Sequence, residues 1–477
     1  MERVLPKTID YTDVLPLAVE SKSRRRTFFP VNGQQFVDNA NNIIRIDISA
    51  DALLDTQHSY LRFTNTFNAQ TAGLDFAGGH AFIRRLRIEQ SGTILEDIQN
   101  YNKLMGGIVL PCQTGQDYLR ERSITEGVQG PGASQSGTSL LFAGSAAVNI
   151  TAAGAGAADA IGVRCMQQIA NNSNNIISQI AAGNAWDFCI PLNSGLFNNE
   201  KLIPLMLMSA PLTIEIELAP RAQACTSGAA STYTITNCRY IANLVEVGQD
   251  VSQQLRMVQE MSGGVLTLAG QTYRHFSGTC SAGAESVINV PARVKSMKSM
   301  FFFSKGAAAD AVGNYDVGGG GTIGIQEFQL KIGSVTYPPT PIQCGHRGGA
   351  AIGATGSQRS EELMELAKAW GNVGSTKGLG MLTSLNYGTT VETEAVGAAV
   401  AGYLSSGGPY AFCPYGIDLE AFQRVAIESG VNTADRSLPI SLILSHTGAQ
   451  AAQTVDCYVL ADALFYINSD GSMSVSV

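Results

Sequence analysis

Apolar and polar positions alternate along much of this chain. In Ile44-Arg45-Ile46-Asp47-Ile48 and in Leu212-Thr213-Ile214-Glu215-Ile216-Glu217-Leu218 the apolar side chains fall on one side and the polar ones on the other. A period of two is the signature of a strand covered on a single face, so both segments read as antiparallel-type strands. The same reading predicts strands over 59–67, 82–89, 234–247, 265–268, 286–290, 297–303, 327–332, 438–444 and 454–467, with Gly, Asn, Ser and Pro clusters between them. Such a series belongs to the all-β sandwich or barrel class. Helical periodicity is sparse. It predicts one short helix over 360–370, with Ser360 as N-cap, Glu361 and Glu362 in the first turn, and Leu363, Leu366 and Trp370 on one face. A weaker pattern over 100–108 places Tyr101, Leu104 and Met105 together, and Gly106-Gly107 is expected to end it.

The order of these features repeats. Trp186-Asp187-Phe188-Cys189-Ile190-Pro191 answers to Pro409-Tyr410-Ala411-Phe412-Cys413-Pro414. The alternating strand 212–218 answers to 438–444, and the Cys-bearing strand around Cys238 to that around Cys457. Three anchors in constant order, about 220 residues apart, point to a duplicated sandwich, a unit far too long for a solenoid repeat. The expected division is an N-terminal arm over 1–26, a first sandwich over 27–250, a linker over 251–263 and a second sandwich over 264–477.

Composition narrows the function classes. Charged residues are 15% of the 477 and hydrophobic residues 45%, with a net charge of −8. An ordinary domain carries about 25% charged residues, so much of this surface is uncharged, as suits flanks buried against copies of the same chain. The acidic balance excludes a dedicated nucleic-acid binder, and no sequence-specific nucleic-acid binding is expected. The nine cysteines form no C-x-x-C pair and read as reduced, mostly buried thiols of a protein made in a reducing compartment. The polar N-terminus has no secretory h-region. No stretch of 18 apolar residues occurs, so an integral membrane protein is not expected.

Candidate chemistry is thin. Gly319-Gly320-Gly321-Thr322-Ile323-Gly324 matches the dinucleotide fingerprint in letters, but no buried strand precedes it and no helix follows, so it reads as a loop. The five histidines show no ligand spacing, and no metal or cofactor is expected. Cys344 and His346 lack an orienting third group for nucleophilic work. Glu215 and Glu217 share a strand face at about 7 Å, a separation that paired glycosidase acids also use, yet they read as the solvent side of an amphipathic strand. The triplets at Asn149 and Asn171 are not expected to be glycosylated without a secretory signal. The one basic cluster is Lys22, Arg24, Arg25 and Arg26, expected in a polar arm ahead of the first strand, either solvated or touching an acidic or phosphate-rich partner.

Phe82-Ile83-Arg84-Arg85-Leu86-Arg87-Ile88, followed by Ser91-Gly92-Thr93-Ile94-Leu95-Glu96-Asp97-Ile98 and Asn100-Tyr101-Asn102-Lys103-Leu104, resembles the strand, hairpin and helix entry of double jelly-roll major capsid proteins. The segments 188–192, 202–205 and 212–216 are similar to the strands that end the first roll in that family. The resemblance is to capsid proteins of virophages, polinton-like viruses and related double-stranded DNA viruses of eukaryotes. It implies two tandem eight-stranded jelly rolls with long inserted loops forming outer towers and a few short helices. It further implies a non-enzymatic chain whose homotrimers form pseudo-hexameric capsomers of an icosahedral virion, with penton and minor capsid proteins as further partners. Lys22, Arg24, Arg25 and Arg26 would then form an inner-face contact arm. Two readings from other classes stay open: a carbohydrate-binding or carbohydrate-active tandem sandwich, which would need Trp186 or Trp370 as a platform, and a spike or fibre protein.

Overall fold

The computed structural model describes residues 21–67, 77–114, 122, 125–127, 138–139, 148–149, 185–224, 232–280, 284–306, 325–344, 360–371, 373, 380, 382, 413–422, 429–446 and 453–477. The Gly-rich run 319–324, most of the tract 130–160, Cys165, Asn171, Cys225, His346 and the anchor residues 409–412 lie outside them.

Among the described residues, nineteen strands build two sandwiches and two more form a separate pair. The first sandwich uses β1 (Ser21–Phe28), β2 (Gln35–Val37), β3 (Ile43–Ile48), β4 (Leu53–Phe67), β5 (Ile83–Gln90) and β6 (Thr93–Gln99). A helical segment follows: α1 (Tyr101–Leu104), a π-helical turn Met105–Val109 and α2 (Leu110–Gln113). After a separate pair, β7 (Thr138–Ser139) and β8 (Val148–Asn149), come β9 (Ala185–Ile190), β10 (Ile203–Pro204), β11 (Leu212–Leu218) and β12 (Tyr233–Val247). Helix α3 (Gln249–Met261) leads into the second sandwich: β13 (Val265–Cys280), β14 (Glu285–Asn289), β15 (Met297–Gly306), β16 (Ile325–Ile332), β17 (Val335–Gln343), α4 (Ser360–Ala369), β18 (Tyr415–Asp418), β19 (Ile440–His446), β20 (Gln453–Asn468) and β21 (Met473–Ser476).

The pairing shows the duplication. One sheet of the first sandwich runs β1-β12-β4-β9, with β2 and β10 extending its edges; the other runs β3-β11-β5-β6. The second sandwich runs β13-β20-β15-β18, with β21 beside β20, and β14-β19-β16-β17. Each strand of β1-β12-β4-β9 and β3-β11-β5-β6 has its counterpart at the same place in β13-β20-β15-β18 and β14-β19-β16-β17. Within each sandwich only one hairpin, β5-β6 or β16-β17, joins neighbours in the four-stranded sheet; the other main strands alternate between sheets.

Several boundaries differ from the sequence reading. Residues 21–26 are already strand, paired with β12 from Ser21↔Val247 onward, so the expected arm has its last six residues in a sheet. The expected linker is helical, because α3 occupies 249–261. The strand expected over 265–268 continues to Cys280, held along its whole length by β20. The helix after β6 does not stop at Gly106-Gly107 but continues through them to Gln113, since the second sandwich packs against it there. The strand expected over 438–444 starts at Ile440, just after Pro439, which has no N–H to give a ladder.

Long connections attach at one end of both sandwiches. In the first, Phe67 pairs with Tyr233 and Thr66 with Ala185, so 68–76 leaves, and 115–184 and 225–231 return, at that level. In the second, Gly306 and Cys280 both pair with Gln453, where 307–324 and 447–452 attach. The opposite end carries α3, short turns and the connection 419–439 between β18 and β19.

Candidate functional site

The seam between the sandwiches is the most heavily constructed feature of the molecule. Alternate residues of β15 serve two cores: Met300 and Phe302 pack inside the second sandwich, while Phe301 and Phe303 join the core shared with the first. Strand β20 does the same, with Val455, Cys457, Val459 and Ala461 inward and Tyr458, Leu460, Ala463, Phe465 and Ile467 toward the first sandwich. A sheet covered on both faces explains the near-continuous apolar run of 455–467. Trp370, just after α4, stacks on Phe301 with ring centroids 4.4 Å apart.

Small residues let the backbones meet. A side chain at Gly195 would collide with the Gln271 backbone, one at Gly270 with the Gly195 carbonyl, and one at Gly107 would come within 2.9 Å of the Phe303 ring.

Polar groups lock this apolar contact at several heights. Near the insertion-bearing end, the Lys103 ammonium donates to Asp456 at 3.0 Å, His275 Nε2 lies 2.7 Å from the other Asp456 oxygen, and the Tyr458 hydroxyl donates to the Asn100 carbonyl at 2.9 Å. Midway, Glu96 accepts from the Gly195 and Leu196 amides at 2.9 and 3.3 Å and from the Thr272 hydroxyl of the second sandwich at 2.8 Å. At the short-turn end, Gln90 donates to the Gly471 carbonyl at 3.0 Å and accepts from the Met473 amide at 2.6 Å. The sandwiches therefore stand side by side with like ends together.

Burial pushes the Glu96 carboxyl up from its ordinary range, and its hydrogen bonds to the Gly195 and Leu196 amides and the Thr272 hydroxyl only partly offset this. Asp456 goes the other way. Burial alone would raise it, but the hydrogen bond with His275 and the charge of Lys103 together hold it below the usual carboxylate range.

The basic cluster lies away from the seam. Lys22, Arg24, Arg25 and Arg26 are exposed on β1, with Arg24 3.1 Å from Glu246. Glu215 and Glu217 lie in an ion-pair ladder on the outer side of β3-β11-β5-β6: Glu217 is 3.3 Å from Arg84, and Glu215 3.7 Å from Arg87. Arginines thus neutralise the pair considered as glycosidase acids. Trp370 is buried and Trp186 half-buried against the core, so neither offers a sugar platform. Burial pushes the Cys344 thiol well up, away from nucleophile chemistry. Among the described residues no disulfide joins the seven cysteines, all buried except half-buried Cys189; no cluster of three or more His, Cys, Asp or Glu forms a metal-binding group, and no helix is long and apolar enough to cross a membrane.

No family model matches the chain, and no curated protein matches it. Solved structures do. PBCV-1 VP54, fitted into a reconstruction of the virophage Sputnik, is similar with a TM-score of 0.56 and 9% identity, over 98% of this chain and 99% of that one. The Faustovirus major capsid protein gives 0.55 and 8% over 97% and 92%, and the mavirus major capsid protein 0.51 and 13% over 100% and 96%. The fold is a double jelly roll. The matches span both rolls of this chain.

The seam residues were not singled out by sequence reasoning. Lys103 lay in a segment compared with the capsid family, yet its partner is 353 residues away. A local signal was Asp456, an acid inside an apolar run, where a buried charge requires a partner.

Proposed function

We propose that this chain is a major capsid protein, a non-enzymatic block whose homotrimers form pseudo-hexameric capsomers of an icosahedral viral shell. The observation that carries the reading is the seam: two rolls, standing side by side with like ends together, are joined by a shared apolar core and buried polar locks. A rigid two-roll block is what a ring of six rolls made from three identical chains requires. The full-length structural neighbours are major capsid proteins, which supports the same role. Long insertions gathered at one end suit outward towers, and the short-turn end, with α3 and the start of β1, suits the inner face. The 15% charged composition fits flanks buried against neighbours. Penton and minor capsid proteins are the further partners in this reading, and the virion is its location.

Light scattering on a sizing column tests it. A species of about 151 kDa, three times the 50.3 kDa chain, that survives high salt is expected for a capsomer held by apolar, shape-matched contacts. A 50 kDa species that stays monomeric on concentration would contradict it.

A further inference from the structure

Strand β1 pairs with β12 on one side only, in an unbroken register from Ser21↔Val247 to Phe28↔Tyr240. In an antiparallel ladder alternate residues turn their N–H and C=O groups away from the partner, and here no strand among the described residues receives them. All six side chains from Ser21 to Arg26 are exposed, so this stretch extends past the core as an open ribbon edge. Such edges are templates for a further strand.

Charge decides which strand. Lys22, Arg24 and Arg26 share one face of β1, and Arg25 lies on the other. Only Arg24 has a carboxylate partner among the described residues; Arg25 reaches the Tyr60 hydroxyl at 3.4 Å, and Arg26 lies 5.0 Å over the Phe28 ring. This basic edge stands on a chain of net charge −8. Laid antiparallel against β1 of a second copy, it would set arginine against arginine, which opposes pairing. The same side chains attract an edge of opposite sign.

We propose that β1 accepts an extended acidic segment of a different polypeptide as an added strand. Backbone hydrogen bonds supply the register, and alternate Asp or Glu side chains of the incoming segment face Lys22, Arg24 and Arg26. The inference concerns the folded chain itself and stands whether or not three chains assemble.

The test uses the full chain and a fluorescent eight-residue peptide of alternating glutamate and valine. Binding should weaken at least tenfold between low and high salt and should slow amide exchange in 21–28. Two control peptides separate the contributions: alternating lysine and valine, with the charge reversed, and alternating glutamate and proline, with the acid kept but half the backbone donors removed. Neither should bind. The triple variant Arg24→Glu, Arg25→Glu, Arg26→Glu should exchange the preference, taking the lysine peptide and refusing the glutamate one, and its unchanged melting temperature would show that it folds. If that variant does not fold, the three peptides on the unaltered chain still decide. Unchanged exchange in 21–28 with the glutamate peptide, or equal binding of the proline peptide, would overturn the proposal.

Discussion

Lys103 and Asp456 meet across the seam at 3.0 Å, each from a different roll and each at least 94% buried at its side chain. Removing one partner of a buried pair leaves an uncompensated charge, which costs about 3–5 kcal/mol. Lys103→Met should therefore destabilise the chain by about that much in urea unfolding. The double variant Lys103→Met, Asp456→Asn should recover part of the loss, since two neutral groups need less solvation. A loss in the double variant equal to the sum of the losses in Lys103→Met and Asp456→Asn alone would show that the pair is not coupled.

The exposed ladder gives the contrast. Glu217 and Arg84 lie 3.3 Å apart, but the side chains keep 29% and 48% of their exposure. Water and salt screen such a pair, so Glu217→Gln should change stability by less than about 1 kcal/mol. The same unfolding measurement checks it.

The two seam carboxylates oppose each other in pH dependence. Asp456 is held below its ordinary value, so its stabilisation is present above an unfolded pKa of about 3.9 and is lost as pH falls through its folded value. Glu96 is raised, so the folded state keeps its proton longer than the unfolded one, and stability falls as pH rises from about 4.3 through its folded value. Glu96→Gln removes the second effect. Melting curves across the acid range should show that the variant loses less stability than the parent as pH rises through that window.

Gly195 and Gly270 allow the rolls to touch backbone to backbone. Gly195→Ala or Gly270→Ala should cost about 1–3 kcal/mol, because the obstacle is main chain that cannot turn aside. Gly107→Ala should cost less, since the Phe303 ring it meets can move. Thermal melts of the three variants give the order directly.

Much of the fold was legible because alternation is a direct record of one-sided burial. Ile44 to Ile48 and Leu212 to Leu218 have the inward and outward faces their letters give, and the repeat is visible as matching strand orders. Strand β1 was missed because Ser21 to Arg26 bury nothing and carry no apolar period. Strand β17 was missed because Pro338, Pro339 and Pro341 argue against a strand, which it can be only at the sheet edge it occupies. The seam was hidden for another reason: its residues are local opposites that meet only after both rolls have formed. The run Phe301-Phe302-Phe303 still carried a clue, since a strand apolar on both faces needs two coverings.

Electron-microscope class averages of the purified chain separate a capsomer from an isolated two-roll block. A particle with a six-lobed outline and three-fold symmetry, its towers on one side, is expected. Single two-lobed particles at every concentration would contradict it.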